Sequence, residues 1–372
     1  MKNRLVLFAT LPALWCLAGP AWAQMATEVP AVVAGARPVT VERIKVHGVA
    51  LEGNLEGNSA DRDVLVFLPA GYHRERGRRY PVVYALHGYS IGAEQWSGEI
   101  HVPQTIEGAI AQGSREMIVV LPDSKTVHNG SMYSSSVTTG DFENFIARDL
   151  VAHIDRAYRT LPRRESRGLA GHSMGGYGAT RIGMKHADVF GALYIMSPCC
   201  LSVREPPPAQ IEKALLEVKT PADSANLSFL ARATLATAAA WSPNPAKPPL
   251  FLDLPVVNGV PQPEVLGRWA ANAPLAFADQ YIGNLRTYSG IALDVGDQDG
   301  LRFDTAKLQA TLQRYGIVST FEEYEGTHTS AVAVRFQNYV MPFFSKHLSA
   351  GHDGSGRQSP VKLPVSPRAG TP

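Results

Sequence analysis

Short, continuously apolar segments that alternate with amphipathic ones limit the folds open to this chain. Pro81–Leu86 and Met117–Leu121 are rich in β-branched side chains and contain no charged residue. Such runs are typical of strands that are buried on both faces of a parallel sheet. The same reading predicts further strands at Val41–Val46, Asp63–Leu68, Gly168–Gly171, Gly191–Met196, Gly290–Val295 and Thr320–Tyr324.

The segments between these strands have the periodicity of amphipathic helices. Over Asp141–Tyr158 the large apolar residues fall on one stripe, and Asp141 can cap the first turn. Further helices are predicted at Gly175–His186, Asp304–Tyr315 and Ser330–His347. Strands that alternate with helices predict an α/β fold with a mostly parallel central sheet flanked by helices, over residues 41–350.

One stretch, at about 205–283, interrupts this alternation. It is rich in proline and contains an Ala-rich helical segment, Leu227–Trp241, but no strand of the main sheet is evident in it. Ligands of open α/β sheets bind at the carboxyl ends of the strands, where such insertions emerge. We therefore predict a lid-like insertion, the alternative being a long excursion without function.

Both ends of the chain differ from this central region. Lys2 and Arg4 precede an apolar run, and Ala21-Trp22-Ala23 follows it, which is the pattern of a secretory signal peptide over residues 1–23. The run is shorter than a membrane span, so we expect cleavage and an exported protein, periplasmic or secreted, with no membrane anchor left. Residues 24–40 are predicted to be a flexible leader and residues 351–372 a disordered tail.

The charge balance of the chain bears on the kind of partner that it could bind. Lys and Arg number 35 against 33 Asp and Glu, a balance that gives no support to nucleic-acid binding.

The exported chain would keep two adjacent cysteines, Cys199 and Cys200. Because neighbouring Cα atoms lie about 3.8 Å apart, below the usual disulfide range, two free thiols are favoured over a vicinal disulfide. The histidines show no metal-ligand spacing such as HExxH, so no metal site is predicted.

The strongest chemical signal is Gly171-His172-Ser173-Met174-Gly175, between a predicted strand and a predicted helix. A G-x-S-x-G sequence in that context is a nucleophile elbow, in which the turn exposes the serine hydroxyl and the glycines leave room for its neighbours. The alternative is a glycine-rich tight turn. The pattern indicates Ser173 as a nucleophile.

A serine nucleophile needs a base and an acid, which in this kind of fold follow it in the order acid, then histidine. Asp297 and Asp299 compete for the acid role in the loop after the Gly290–Val295 strand, and Asp299 is preferred because the loop needs a few residues to turn back. His328 follows the last predicted strand and is the candidate base. His172, inside the elbow, is a weaker rival.

The same reasoning assigns groups around the nucleophile. An oxyanion hole needs two backbone N–H donors, for which Met174 and Tyr89 are the candidates. Trp96 and Tyr133 are candidate substrate-binding residues, with ordinary packing as the alternative.

The chain resembles the putative-esterase branch of the α/β-hydrolases, which includes feruloyl esterases, S-formylglutathione hydrolases (esterase D) and mycolyltransferases. The resemblance covers about 63–202 and 290–348 and rests on three motifs, which are YPVVYALHG from Tyr80, GDFENFI from Gly140 and GHSMGGYGA from Gly171. It implies an α/β-hydrolase fold with no metal or organic cofactor. It also implies Asp299 as the acid, three residues after a glycine, with His328 as the base and Tyr89 as an oxyanion donor.

These observations predict an exported serine hydrolase that cleaves carboxylic esters through an acyl-enzyme. Its substrate would be a small-molecule or polysaccharide-linked ester. One alternative is an acyltransferase that uses the same acyl-enzyme. Another, from a different class, is a secreted binding protein without catalytic activity on a hydrolase scaffold.

Overall fold

A twisted eight-stranded sheet forms the centre of the computed structural model, which describes residues 25–203 and 205–350. The predicted signal peptide and the predicted tail lie outside the described residues. The strands are β1 (Thr40–His47), β2 (Asp61–Leu68), β3 (Val82–Leu86), β4 (Ile118–Pro122), β5 (Arg167–His172), β6 (Ala192–Met196), β7 (Gly290–Gly296) and β8 (Thr320–Tyr324).

The strand order in this sheet is β1-β2-β4-β3-β5-β6-β7-β8. β2 pairs in antiparallel fashion with both of its neighbours, and the other pairs are parallel. Every predicted strand is present, and the mostly parallel sheet is confirmed. All residues of β3 and β4 are buried, as expected of strands covered by helices on both faces.

Side chains of one strand enter two separate cores because successive residues point to opposite faces. Val82, Tyr84 and Leu86 of β3 lie in one core, whereas Val83 and Ala85 lie in the other. The inner strands of the sheet are therefore covered on both faces.

Helices cover both faces of this sheet. They are α1 (Ala93–Glu99), α2 (Val102–Ala111), α3 (142–157), α4 (Met174–Lys185), α5 (Ala209–Leu216), α6 (Phe229–Trp241), α7 (Pro263–Ala271), α8 (Arg302–Arg314) and α9 (332–347). α3 and α9 each contain a π-helical turn, at Phe145–Leu150 and Phe336–Val340. None of the helices in the described ranges is long and apolar enough to cross a bilayer.

The insertion at 205–283 adds no strand to the main sheet. It contains α5, α6, α7 and a two-stranded ribbon in which Val256–Val257 pairs with Val260–Pro261. Trp241 and Trp269 from this region are buried and pack edge to face against each other. The insertion therefore has an apolar interior of its own that joins the larger of the two cores.

The N-terminal segment, residues 25–39, corrects one prediction. The sequence predicts a flexible leader there, but the segment lies against α2. Gln104 Nε2 donates a hydrogen bond of 2.6 Å to the carbonyl oxygen of Pro30, and Glu107 Oε1 accepts one of 2.9 Å from Val39 N. The hydrogen-bond partners of this segment are distant in the sequence. Its lack of periodicity therefore could not reveal them.

Candidate active site

Ser173 lies at the sharp turn between β5 and α4, with φ 59° and ψ −115°. The glycines on either side of it permit this turn. A Cβ atom on Gly175 would overlap the carbonyl oxygen of Leu86, and one on Gly171 would overlap the backbone of Gly175. The strand and the helix therefore approach each other closely, and the serine is left on the outside of the bend.

Two hydrogen bonds connect Ser173, His328 and Asp299 in a chain. Ser173 Oγ lies 2.9 Å from His328 Nε2, and His328 Nδ1 lies 2.7 Å from Asp299 Oδ2. With a neutral ring, Nδ1–H donates to the carboxylate and Nε2 accepts the serine proton. The three residues come from the loops after β5, β7 and β8, at the carboxyl end of the sheet.

The two candidate acids occupy different environments. Asp299 is 5% exposed, and its Oδ1 also accepts a hydrogen bond from the backbone N–H of Leu301. Burial alone would raise the pKa of Asp299, but the hydrogen bond and charge of His328 outweigh it and hold that pKa below its usual range. Asp297 is exposed, and its carboxylate accepts a hydrogen bond from the backbone N–H of Gly326.

His172 contacts the loop that carries His328. Its Nε2–H donates a hydrogen bond of 2.8 Å to the carbonyl oxygen of His328, and the two rings lie 4.7 Å apart. Burial, together with the nearby charge of His328, lowers the pKa of His172 to about 3, so the ring is neutral. Sequence reasoning treated His172 only as a weak rival base and missed this contact, for which its place beside Ser173 was the available signal.

The predicted oxyanion donors are both near Ser173, Met174 as its neighbour in the chain and Tyr89 in the same pocket. Met174 is the first residue of α4, where backbone N–H groups have no acceptor within the helix. Tyr89 follows Gly88 in the loop after β3 and lines the same pocket as Ser173. Its hydroxyl donates a hydrogen bond of 2.9 Å to the carbonyl oxygen of His128, which fixes the side chain.

A pocket of about 160 Å³ opens beside Ser173 and His328. Its wall is mostly apolar because Met25, Ile91 and Phe229 contribute to it, and Glu99 adds a carboxylate. The full lining is Met25, Gly88, Tyr89, Ser90, Ile91, Glu99, His172, Ser173, Phe229, His328 and Thr329. Phe229 is the contribution of the insertion, and its ring packs edge to face against Tyr89.

The two predicted substrate-binding aromatics do not line this pocket, which corrects that prediction. Trp96 is fully buried and packs against Phe336 of α9. Tyr133 is also fully buried, and its hydroxyl donates to the carbonyl oxygen of His87. Packing against α9 buries Trp96, and contact with the loop after β3 buries Tyr133. Met25 and Phe229 occupy the wall instead, and no motif in the sequence marks either of them.

Cys199 and Cys200 form a disulfide between neighbouring residues, whose Cα atoms lie 3.8 Å apart. The sequence argument favoured two free thiols, so this expectation is corrected. The Cα separation is the one that the sequence predicts, and the backbone that accommodates the bond is left-handed at Cys200, with φ 66°. The loop also contacts the nucleophile, because Cys199 N donates a hydrogen bond of 3.1 Å to the carbonyl oxygen of Ser173.

Metal-ligating side chains do not gather anywhere in the part of the chain that the structure describes. No group of three or more His, Cys, Asp or Glu residues there is arranged to hold an ion.

Solved structures with the same architecture include several esterases. A ferulic acid esterase covers 84% of this chain and 99% of its own, with a TM-score of 0.59 and 21% identity. An S-formylglutathione hydrolase of Staphylococcus aureus covers 83% of this chain and 98% of its own, with a TM-score of 0.55 and 13% identity. The sheet, its helices and these similarities define an α/β-hydrolase fold.

Sequence comparison with curated proteins gives shorter matches. An endo-1,4-beta-xylanase/feruloyl esterase of Xylanibacter ruminicola is 29% identical over 138 residues, which are 36% of this chain and 19% of that protein. An esterase of Mycobacterium tuberculosis is 32% identical over 132 residues, 35% of this chain and 27% of that protein. The matched stretch thus spans less than a third of the length of these curated relatives.

The family model described as "Putative esterase" matches residues 58–339, most of the chain. The protein belongs to this esterase family of the α/β-hydrolases.

Proposed function

We propose that the protein hydrolyses carboxylic esters through an acyl-enzyme on Ser173. The observation that carries the proposal is the hydrogen-bond chain from Ser173 Oγ through His328 to Asp299, which ends at the mouth of an apolar pocket. A serine hydroxyl is a weak nucleophile unless an oriented base takes its proton. In this hydrogen-bond chain His328 is the base, and Asp299 is the carboxylate that would orient it.

In the first half-reaction, Ser173 Oγ attacks the ester carbonyl carbon while His328 Nε2 takes the hydroxyl proton. Asp299 stabilises the imidazolium that forms and keeps Nδ1–H directed at its own carboxylate. When the tetrahedral intermediate collapses, the alcohol leaves with the proton from Nε2. The acyl group is then bound to Oγ.

In the second half-reaction, His328 takes a proton from water, which attacks the acyl carbon. Collapse releases the carboxylic acid and returns the proton to Ser173. In both halves, the backbone N–H groups of Tyr89 and Met174 would stabilise the negative oxygen. Loss of one such donor typically slows an enzyme by about 100- to 1000-fold.

Export and substrate class are parts of the same proposal. The basic residues, apolar run and small-x-small site at residues 1–23 support cleavage and export, to the periplasm or the medium. The apolar pocket suits an acyl group without charge. One curated relative is named as a feruloyl esterase as well as a xylanase, which supports polysaccharide-linked esters as one class of substrate.

The test is turnover of p-nitrophenyl acetate by the wild type and by Ser173→Ala. We expect the variant to lose at least about 10⁴-fold in kcat with an unchanged melting temperature. The wild type should release a burst of p-nitrophenol equal to the enzyme concentration if deacylation is slower than acylation. Ser59→Ala, an exposed serine outside the pocket, is the control and should match the wild type. Equal turnover by Ser173→Ala would overturn the proposal.

A further inference from the structure

A second cavity, of about 330 Å³, lies beside the catalytic pocket. Its lining residues are Met25, Ala26, Glu94, Gln95, Gly98, Glu99 and His101. Met25 and Glu99 line both cavities. These two side chains therefore form a wall that the catalytic pocket and the second cavity share.

Met25 is held at this wall by the segment that follows it. Thr329 Oγ1 donates a hydrogen bond of 3.2 Å to the carbonyl oxygen of Ala26, and Glu28 N donates one of 2.7 Å to the carbonyl oxygen of Ser330. Ala333 N donates to Thr27 Oγ1 at 3.1 Å. Thr329 and Ser330 directly follow His328, and Ala333 lies in the first turn of α9, so the position of Met25 is tied to the catalytic loop.

Glu99 is an unusual residue for such a wall. It ends α1, where the helix dipole disfavours a negative charge. Its Oε1 accepts a hydrogen bond from Gln95, but Oε2 is buried and accepts none from the described residues. Glu94, the other acid of the second cavity, forms an ion pair with Arg43. No cation lies within ion-pair distance of Glu99 among the described residues, so its carboxylate has no ion-pair partner at this wall.

The two cavities differ in chemistry. Apolar side chains dominate the catalytic pocket, whereas the second cavity has carboxylates, an amide and an imidazole. Between the two half-reactions the acyl group is bound to Ser173, and the alcohol has already left. An apolar pocket closed by a wall therefore suits the acyl group. A longer acyl chain has to pass Met25 and Glu99 and enter polar surroundings.

We propose that Met25 is a specificity-determining residue that limits the length of the acyl group, and that the second cavity binds the polar, uncharged end of longer acyl groups. The inference rests on the proposed ester hydrolysis. Glu99 would accept a hydrogen bond from a hydroxyl at that end and would repel a carboxylate. Shortening the side chain of Met25 opens the wall, and enlarging it closes the wall.

The first experiment compares kcat/KM for p-nitrophenyl octanoate and p-nitrophenyl acetate. Met25→Ala should raise the octanoate-to-acetate ratio by about 10-fold, since the space left by the side chain lengthens the apolar pocket and one further methylene group there is worth about that factor. Met25→Trp should lower the ratio. Val32→Ala, which changes a side chain 75% exposed in the same segment, is the matched control and should leave it unchanged.

The second experiment tests the polar end with p-nitrophenyl 6-hydroxyhexanoate and the mono-p-nitrophenyl ester of adipic acid. The wild type should prefer the hydroxyl ester by about 10-fold or more, and Glu99→Gln should reduce that preference by several-fold. Glu217→Gln, at an exposed glutamate that also ends a helix, should not change it.

Unchanged ratios in both Met25 variants, with acetate hydrolysis that still requires Ser173, would overturn the role of Met25 and leave the proposed function standing. An unchanged preference in Glu99→Gln would overturn the assignment of the second cavity. Acetate hydrolysis independent of Ser173 would instead overturn the proposed function.

Discussion

The carboxylate of Asp299 lies 2.7 Å from Nδ1 of His328, across the gap between the loops that follow β7 and β8. Asp297, two residues earlier, contacts the same loop through the backbone N–H of Gly326. One carboxylate thus meets the imidazole, and the other binds the backbone of the loop that carries His328. This difference separates their expected contributions to catalysis.

Exchange of each aspartate for asparagine should give different results. In Asp299→Asn the amide can donate to Nδ1, which favours the wrong tautomer of His328, and we expect kcat to fall by about 10⁴-fold. Asp297→Asn keeps an oxygen that can accept from Gly326 N, so its kcat should change by less than about 10-fold. Steady-state kinetics on p-nitrophenyl acetate measure both, and the reverse order of losses would assign the acid role to Asp297.

The glycine after the nucleophile should tolerate no side chain. In Gly175→Ala the new Cβ would meet the carbonyl of Leu86 on β3, a backbone group that cannot rotate away. We expect the free energy of unfolding to fall by about 3 kcal/mol or more. Urea denaturation measures this. Gly267→Ala on α7 is the control, because open space surrounds that site, and it should stabilise by up to about 1 kcal/mol. Equal effects of the two changes would contradict the packing argument.

A buried acid should make the stability of the protein depend on pH. Burial raises the pKa of Glu56 to about 7, against the opposing effect of its hydrogen bond from Asn58. Burial also lowers the pKa of His128, 3.4 Å from Glu56, to about 4. The folded state therefore retains a proton on Glu56 that the unfolded chain loses near pH 4.5, so this contribution to stability disappears as the pH rises from about 4.5 through 7. His128 acts in the opposite sense, and its contribution is lost as the pH falls from about 6.5 through 4.

Glu56→Gln removes the charge without removing the side chain. We expect the variant to exceed the wild type in free energy of unfolding by about 1–3 kcal/mol at pH 8, with a smaller difference at pH 5. Denaturation at a series of pH values measures the difference. Glu264→Gln, at an exposed position on α7, should show no such trend. A difference that is the same at pH 5 and pH 8 would mean that Glu56 does not titrate in this range.

The free thiols of the two adjacent cysteines can be counted directly. Because Cys199 and Cys200 are joined, denatured protein without Cys16 should not react with an alkylating reagent before reduction and should react at two sites afterwards. Mass spectrometry of the alkylated protein gives the count. Two reactive thiols before reduction would support the sequence-based expectation of free cysteines.

Much of the fold follows from local patterns. The continuous apolar runs at β3 and β4 indicate strands because short, β-branched, fully apolar segments are typical of strands covered on both faces. The G-x-S-x-G turn was likewise recognisable. Its glycines are required because the strand and the helix, only a few residues apart along the chain, approach each other closely there. Ser173, Asp299 and His328 follow β5, β7 and β8, and the carboxyl ends of these parallel strands lie at the same end of the sheet.

The pocket wall could not be predicted in this way. Trp96 and Tyr133 are large aromatics near the right strand ends, yet the packing of α9 and of the loop after β3 turns both into the cores. Met25 and Phe229 reach the wall from an aperiodic segment and from an insertion. Neither position leaves a trace in the sequence near Ser173.

The sequence by itself determined the order of strands and helices, the elbow, and the candidate nucleophile and base, Ser173 and His328, since these depend on the properties of neighbouring residues. Only the tertiary structure decided which aspartate meets the imidazole and which side chains surround the substrate. Those outcomes depend on how segments distant along the chain pack over one edge of the sheet, and the energies of such contacts are not encoded in any local pattern.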